Sequence, residues 1–561
     1  MSDRYRAVSQ LTVGEVPSLS GVAGLEVEDA VNKRKRLVAI GAAVGLVAAG
    51  IAANASPVSA KPPVPAARSA AGIHWGPCSD PGLTSVHGQC GYLAVPLDYA
   101  HPQGAKIQLA VSRVRHTTPA AQYQGVMLVN PGGPGVPGLG WSIIGQFVPH
   151  HVGDAYDWIG FDPRGVGSSR PALSCLPNYF HGDRPPYVPT THALLTVWLD
   201  RSKAYADACE RDAPALLPHM KTTDSARDMD SIRSALGARQ INYYGFSYGT
   251  YLGQVYATLF PTRVRRMVLD SIVDPRHVWY VANLHQDVAF ERNIRIWFGW
   301  LAKYDEVYHL GKTEFAVQRL FYQQDNALRA HPAGGVVGPD EWEDAFLLVG
   351  YSQRLWPSLG DVFSSWVHHH DAAKLIAAYR NADAPGNDNT YAVYNAVQCT
   401  DVQWPQQWST WARDNWRTYR IAPFFTWGNA WYNAPCLYWH AKAGTPVRVD
   451  GDHIRALLVD ETLDAPTPYE GSLEVRRRFP DSSLIAEPGG TTHGTSLMGN
   501  ACVDNKVAAY LATGTLPQRQ PGNHADAYCQ PLPRPVPTAA NGTAHSTAAA
   551  AAVRPALLGR L

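Results

Sequence analysis

An excess of either charge is missing from this chain: across 561 residues, 48 basic and 47 acidic side chains leave a formal charge of +1. Nothing in that balance suggests a nucleic-acid partner. Metal-site spacing is absent too. No C-x-x-C pair and no H-x-x-x-H array occurs, so the eight cysteines and 21 histidines do not read as a zinc centre. No internal repeat is visible, which excludes a solenoid or propeller. Long apolar runs are scarce, and the one that stands out, residues 37–53, is near the lower limit for spanning a bilayer.

That run follows Lys33-Arg34-Lys35-Arg36 and precedes the small-x-small sites Ala53-Asn54-Ala55 and Val58-Ser59-Ala60. Basic cluster, apolar stretch and cleavage site together read as a secretory signal over residues 1–60, with an uncleaved anchor as the rival. No cysteine closely follows the run, so a lipid anchor is unsupported. The expectation is a secreted, extracellular protein with no stable membrane insertion after cleavage. All eight cysteines lie beyond that point: Cys78, Cys90, Cys175, Cys209, Cys399, Cys436, Cys502 and Cys529. An even number in an export context reads as disulfides. Spacing does not fix their connectivity, although pairing each cysteine with its sequence neighbour would close four modest loops.

After a Pro/Ala linker near 57–71, strand-like runs recur at 107–111, 126–129, 158–161, 241–244 and 267–269, with helical patterns between several of them, and two more follow at 456–459 and 483–486. Alternating strands and helices imply a mostly parallel sheet covered on both faces. Between about 274 and 449 the strand rhythm gives way to Trp- and Tyr-rich helical text, too long for a loop. The expected architecture is an α/β-hydrolase fold. Its core spans 61–275 and 450–530, a largely helical cap is inserted at 276–449, and the Pro/Ala/Thr-rich stretch 531–561 forms a disordered tail.

The chemistry centres on residues 241–261, INYYGFSYGTYLGQVYATLFP, where a β-favouring run, the G-x-S-x-G turn Gly245 to Gly249 and a helical repeat follow one another. Ser247 sits at the apex. Glycines two before and two after it are required because a Cβ there would collide as helix and strand pass closely. A serine hydroxyl needs a base, and the base an orienting carboxylate, in the chain order Ser, Asp or Glu, His. Asp464 lies just past the strand-like 457–459, and His493 lies in the small-residue loop 489–494 after the next strand. Asp460 competes, but it abuts the strand end and reads as a loop support. The developing oxyanion needs two backbone donors: one on Tyr248, after the nucleophile, and one from the loop Asn130-Pro131-Gly132-Gly133-Pro134-Gly135, where no Lys-Ser/Thr follows to make it a phosphate loop.

Several motifs in fixed order carry a family resemblance: NPGGPG at Asn130, DWIGFDPRGVGSS from Asp157, TTDSARDMDSIRSALG from Thr222, YYGFSYGTYLG from Tyr243, VQCTD from Val397, and the run from Asp464 through TTHG to the last cysteines. Over Trp75 to Cys529 the chain resembles the secreted tripeptidyl aminopeptidases of the proline iminopeptidase branch of α/β-hydrolases. The resemblance implies a Ser247, Asp464, His493 triad, an oxyanion hole from Gly133 and Tyr248, and release of short peptides from free N-termini without a cofactor. Pro131 stands where single-domain relatives often have histidine. Counting residues from an amine calls for cap carboxylates, and Asp287, Glu291, Glu341, Glu343 and Asp344 are available. Asp162 and Arg164 read as structural braces. The alternative activity is a secreted esterase or amidase on small acyl compounds, which would tolerate an acylated amine. A non-catalytic surface binding protein is the third reading, and the complete Ser, Asp and His set argues against it.

Overall fold

The computed structural model describes residues 72–383 and 385–537. The expected signal segment and the tail beyond 537 lie outside them. Ten strands form one sheet in the order β1-β2-β3-β5-β4-β6-β7-β8-β9-β10. Their ranges are β1 Gly76–Pro77, β2 Gln89–Pro96, β3 Lys106–Val114, β4 Val126–Asn130, β5 Asp157–Phe161, β6 Ile241–Phe246, β7 Val264–Asp270, β8 Ala456–Glu461, β9 Ser483–Glu487 and β10 Ala527–Tyr528. The β1-β2-β3-β5 edge is antiparallel, and every pairing from β5 across to β10 is parallel.

Why the parallel strands are unbroken apolar text is visible in their packing. Leu128, Tyr243, Leu269, Leu458 and Leu484 face one core, covered by Met229, Ile232, Leu252 and Val255 of the helices Thr222–Ala235 and Tyr248–Leu259. Their neighbours Val129, Tyr244, Val268, Val459 and Ile485 face the opposite core, closed by Val503, Val507 and Leu511 of the helix Ala501–Thr513. With both faces buried, polar positions have no place in the period-two pattern. β2 was not read from the sequence because it alternates buried Leu93 and Val95 with exposed positions along a two-sided edge.

Between β7 and β8 no strand interrupts the described residues. The helices from Tyr280–Lys303 to Ala372–Asp383 enclose their own aromatic core, with Trp297, Phe298, Phe321, Trp342, Phe346 and Phe363 all fully buried. The later helix Asn389–Asp401 instead sends Tyr391, Val393 and Val397 into the main core. The insertion is thus a cap on one side and part of the body on the other.

Four disulfides pair sequence neighbours: Cys78–Cys90, Cys175–Cys209, Cys399–Cys436 and Cys502–Cys529. No helix among the described residues is long and apolar enough to cross a membrane. The first residues of the stretch expected to be a disordered tail, 531–537, lie among the described residues and contact the cap. Leu532 and Pro535 accept hydrogen bonds from Gln353 and Trp300 of the cap, at 2.9 Å each, because a proline-rich segment outside any sheet leaves its carbonyls free for outside donors.

Candidate active site

β6 ends at Phe246, and Ser247 takes φ 55°, ψ −129° before the helix Tyr248–Leu259 begins. A non-glycine residue in that region carries a strain of about 1–3 kcal/mol, which the flanking glycines make tolerable. A Cβ on Gly245 would lie 2.6 Å from the Gly249 carbonyl oxygen, and one on Gly249 would lie 2.5 Å from that of Asn130. The serine is held from behind as its N–H donates to the Asp270 carbonyl at 3.1 Å.

His493 and Asp464 arrive from the loops after β9 and β8. His493 is 3% exposed, and its Nδ1 lies 2.8 Å from Asp464 Oδ2 and 3.1 Å from Oδ1. Thr467 fixes the carboxylate, donating its N–H to Oδ1 at 2.9 Å and its hydroxyl to Oδ2 at 3.1 Å. Nδ1 is thereby committed, leaving Nε2 as the ring nitrogen for proton transfer. Asp460, the rival carboxylate, accepts from Ser472 and is held well above the usual carboxylate range by burial and by the charge of Asp464.

The cap reaches into this arrangement. The Tyr351 carbonyl accepts the His493 N–H at 2.8 Å. Arg292 and Asn293 of the helix Tyr280–Lys303 donate to the Leu463 carbonyl at 2.6 and 2.9 Å, bracing the loop that carries Asp464. Neither contact had a signal in the sequence, because a backbone carbonyl and a loop brace leave no residue pattern.

Across the cavity, Gly132 and Gly133 take φ 110° and 101°. A Cβ on Gly132 would lie 2.8 Å from Ser247 Cβ, so only glycine lets this loop run against the nucleophile. Gly133, Ser247, Tyr248 and His493 all line one cavity of about 1540 Å³, roofed by cap residues including Phe290, Tyr351, Tyr394 and Phe425. That is larger than the ~300–1,000 Å³ of small-molecule pockets.

Of the five cap carboxylates expected from the sequence, only Asp344 lines the cavity. Asp287 is buried, hydrogen-bonded by Asn429 at 2.8 Å and pushed well above its ordinary range by burial. Glu291 accepts the Phe424 N–H, Glu341 pairs with Arg184 at 2.8 Å, and burial with neighbouring Asp325 raises Glu343. Sequence reasoning missed Asp383. It lines the cavity beside Asp344, and its buried Oδ2 lacks a hydrogen-bond partner although Arg184 Nη2 is 3.3 Å away. Burial and the charge of Asp344 hold Asp383 well above the carboxylate range. One buried arginine thus faces two cavity-wall carboxylates as well as Glu341.

The braces are equally concrete. Asp162 accepts the N–H groups of Gly138, Leu139 and Ser168 at 2.7–3.1 Å. Arg164 makes a two-point pair with Asp228 at 2.8 and 2.7 Å. Asp401 of the VQCTD motif accepts the N–H and hydroxyl of Thr222, both at 2.6 Å, and the Trp279 indole at 3.2 Å; burial lifts it to about 6.

Comparison with known proteins identifies relatives of the chain. Residues 125–327 match the family described as alpha/beta hydrolase fold, and 422–529 that described as TAP-like protein. A tripeptidyl aminopeptidase of Streptomyces lividans is 42% identical over 488 residues, covering 84% of this chain and 90% of that protein. The serine protease Hip1 of Mycobacterium tuberculosis is 31% identical, covering 79% and 89%. A carboxylesterase B of the same species is 30% identical, covering 76% and 85%.

Proposed function

The chain belongs to the tripeptidyl aminopeptidase family of α/β-hydrolases, and from that premise we propose that it is a secreted serine aminopeptidase releasing short peptides, tripeptides foremost, from free N-termini. The observation that carries the reading is the 2.8 Å contact between His493 Nδ1 and Asp464 in the cavity that Ser247 lines. Four disulfides fit export to an oxidising compartment.

In this reading His493 Nε2 takes the Ser247 hydroxyl proton as Oγ attacks the scissile carbonyl, and Asp464 stabilises the imidazolium that forms. The N–H groups of Gly133 and Tyr248 receive the oxyanion, the latter aided by its helix N-terminus. His493 then protonates the leaving amine, and water activated by the same nitrogen hydrolyses the acyl-enzyme. β6, the β8 and β9 loops and the cap all contribute to one cavity, and in this reading the substrate enters it as a chain end. Asp344 and Asp383 on the cavity wall supply the negative charge that a free α-ammonium would neutralise, displacing the proton held on Asp383.

The test is steady-state hydrolysis of chromogenic mono-, di- and tripeptides, free and N-acetylated, beside a simple acyl ester. A free tripeptide preferred at least about 100-fold over its acetylated form is the expected result. Equal cleavage of both, with faster ester turnover, replaces the reading with an esterase.

A further inference from the structure

Beneath the His493 loop lies a layer of buried acids that the reaction above does not use. Glu461 ends β8, Glu487 ends β9 and Asp270 ends β7, with exposures of 1%, 0% and 0%. Three adjacent parallel strands thus bring three carboxyl groups to one end of the sheet: Glu461 is paired in register with Glu487, and Asp270 neighbours Val459, two residues before Glu461.

The loop is stitched to this layer residue by residue. Glu461 accepts the N–H of Thr492, adjacent to His493, and the Thr495 hydroxyl at 3.4 Å. Glu487 accepts the Thr495 hydroxyl at 2.8 Å and the Asn500 amide at 2.5 Å. Asp270 accepts the N–H groups of Thr495 and Ser496 at 3.3 and 2.7 Å, and Ser271 accepts that of Gly494 at 2.7 Å. Gly490 belongs to the same design, since a Cβ there would lie 2.4 Å from Glu461 Cδ. The glycine immediately before TTHG therefore makes room for the glutamate.

We propose that Glu461 and Glu487 are positioning residues for His493, holding its loop through Thr492, Thr495 and Asn500, and that this hold requires a proton on the pair. Every hydrogen bond to the two carboxyls comes from a neutral donor. The charged groups bearing most on Glu461 are Glu487, Asp464 and Asp270, and on Glu487 they are Asp270 and Asp504; all are acidic, and His493 is the titratable group above them. Burial, then the charge of Glu487, lifts Glu461 to about 9; burial lifts Glu487 to about 7. With both ionised, two like charges would face each other in a dry site, and the loop that seals them would have to open to admit water. The loop that opens is the one that carries the base.

The inference rests on the triad reading, so the test separates the two. In the full chain, the rate at which a fluorophosphonate labels Ser247 and the kcat for the tripeptide are measured from pH 6 to 10 for wild type, H493A, E461A, E461Q and E487Q. A base displaced by an ångström loses about 100-fold, so E461A is expected to fall by about that factor in labelling and kcat with KM within a few-fold. E461Q, a permanent stand-in for the neutral acid, is expected to recover most of both at pH 7 and to extend the alkaline limb of the wild-type profile by about one pH unit or more. E487Q is expected to extend it in the same direction. Wild-type rates in E461A overturn the proposal, as does an E461Q that is as slow as E461A or keeps the wild-type alkaline limb. Should E461A fail to fold by circular dichroism, the E461Q profile decides alone. Wild-type labelling of H493A overturns the triad and this proposal together, whereas a dead H493A beside an unimpaired E461A overturns this proposal only.

Discussion

Two buried arginines divide the molecule's logic between sheet and cap. Arg164, beside the sheet, has one bidentate carboxylate partner, Asp228, and spends its remaining N–H groups on the carbonyls of Leu97 and His219 at 3.1 and 2.7 Å. Its charge is balanced, and nothing is left over for a ligand. Arg184, reaching the cap from the segment between β5 and β6, is matched against Glu341, Asp344 and Asp383, two of them on the cavity wall. Here negative charge is in excess, and the excess points where substrate would sit. Closed pairs make a scaffold and unclosed ones make a site, although the side chains are the same.

The largest effect belongs to the sheet side. Ser247→Ala and His493→Ala are expected to lower kcat by about 10⁴–10⁶-fold with the fold intact, the range seen when one member of a triad is removed. Steady-state kinetics with thermal melts checks this, and a loss below tenfold in either variant would break the assignment of chemistry to the sheet edge. Next comes the closed pair. Arg164→Met strands Asp228 in a dry interior and is expected to cost about 3–5 kcal/mol of stability, read from denaturant unfolding. A loss under 1 kcal/mol would mean that the pair is solvated and the contrast with Arg184 is false.

This division also explains what the sequence made legible. Ser247 stood out because a strained turn needs Gly245 and Gly249 at fixed offsets, so backbone sterics wrote a pattern into the text. Asp464 and His493 were found by counting loops after strands, since an unbroken apolar run such as Leu457-Leu458-Val459 marks a strand buried on both faces. Asp383 was invisible. An acid at the end of a helix looks the same whether it meets solvent or a cavity, and only the packing of Ala372–Asp383 against Pro339–Leu347 decides it. Glu461 was hidden for another reason: a charged residue ending a buried strand reads as the first residue of the loop.

The disulfides sharpen the comparison from the stability side. Cys502–Cys529 closes 27 residues around the β9 edge, and the chain-entropy relation gives about 3.5 kcal/mol for a loop of that length. Replacing both cysteines with alanine is expected to lower the melting temperature while kcat at 25 °C stays near wild type. Reductant without effect on the melt would show that this crosslink does not constrain the unfolded chain. A smaller, purely functional effect is expected from the open pair. Asp383→Asn removes a carboxyl that would give up its proton to an incoming ammonium, so the preference for free over acetylated tripeptide should fall by about 10–100-fold, chiefly through KM. If the preference survives in both Asp383→Asn and Asp344→Asn, the cap reads the amine elsewhere.

The mildest prediction concerns Asp287, a cap acid that is buried but neither closed by a cation nor open to the cavity. Its folded-state affinity for a proton is raised by burial well above the ordinary value of 3.8, with the Asn429 amide as its hydrogen-bond donor. Between pH 3.8 and the raised value, the native chain holds a proton that the unfolded chain has released. Stability therefore falls as pH rises through that window, by about 1.4 kcal/mol per pH unit for this one group. An amide in its place has no such proton to release. Asp287→Asn should thus cost about 1 kcal/mol or less at pH 3, where the acid is largely neutral in both states, and should become progressively more stable than wild type toward pH 8. Melting curves of the two proteins across that range make the check. Parallel pH dependences would mean that Asp287 is ionised in the native state, and that the cap carries one more unbalanced charge than its interior can hold.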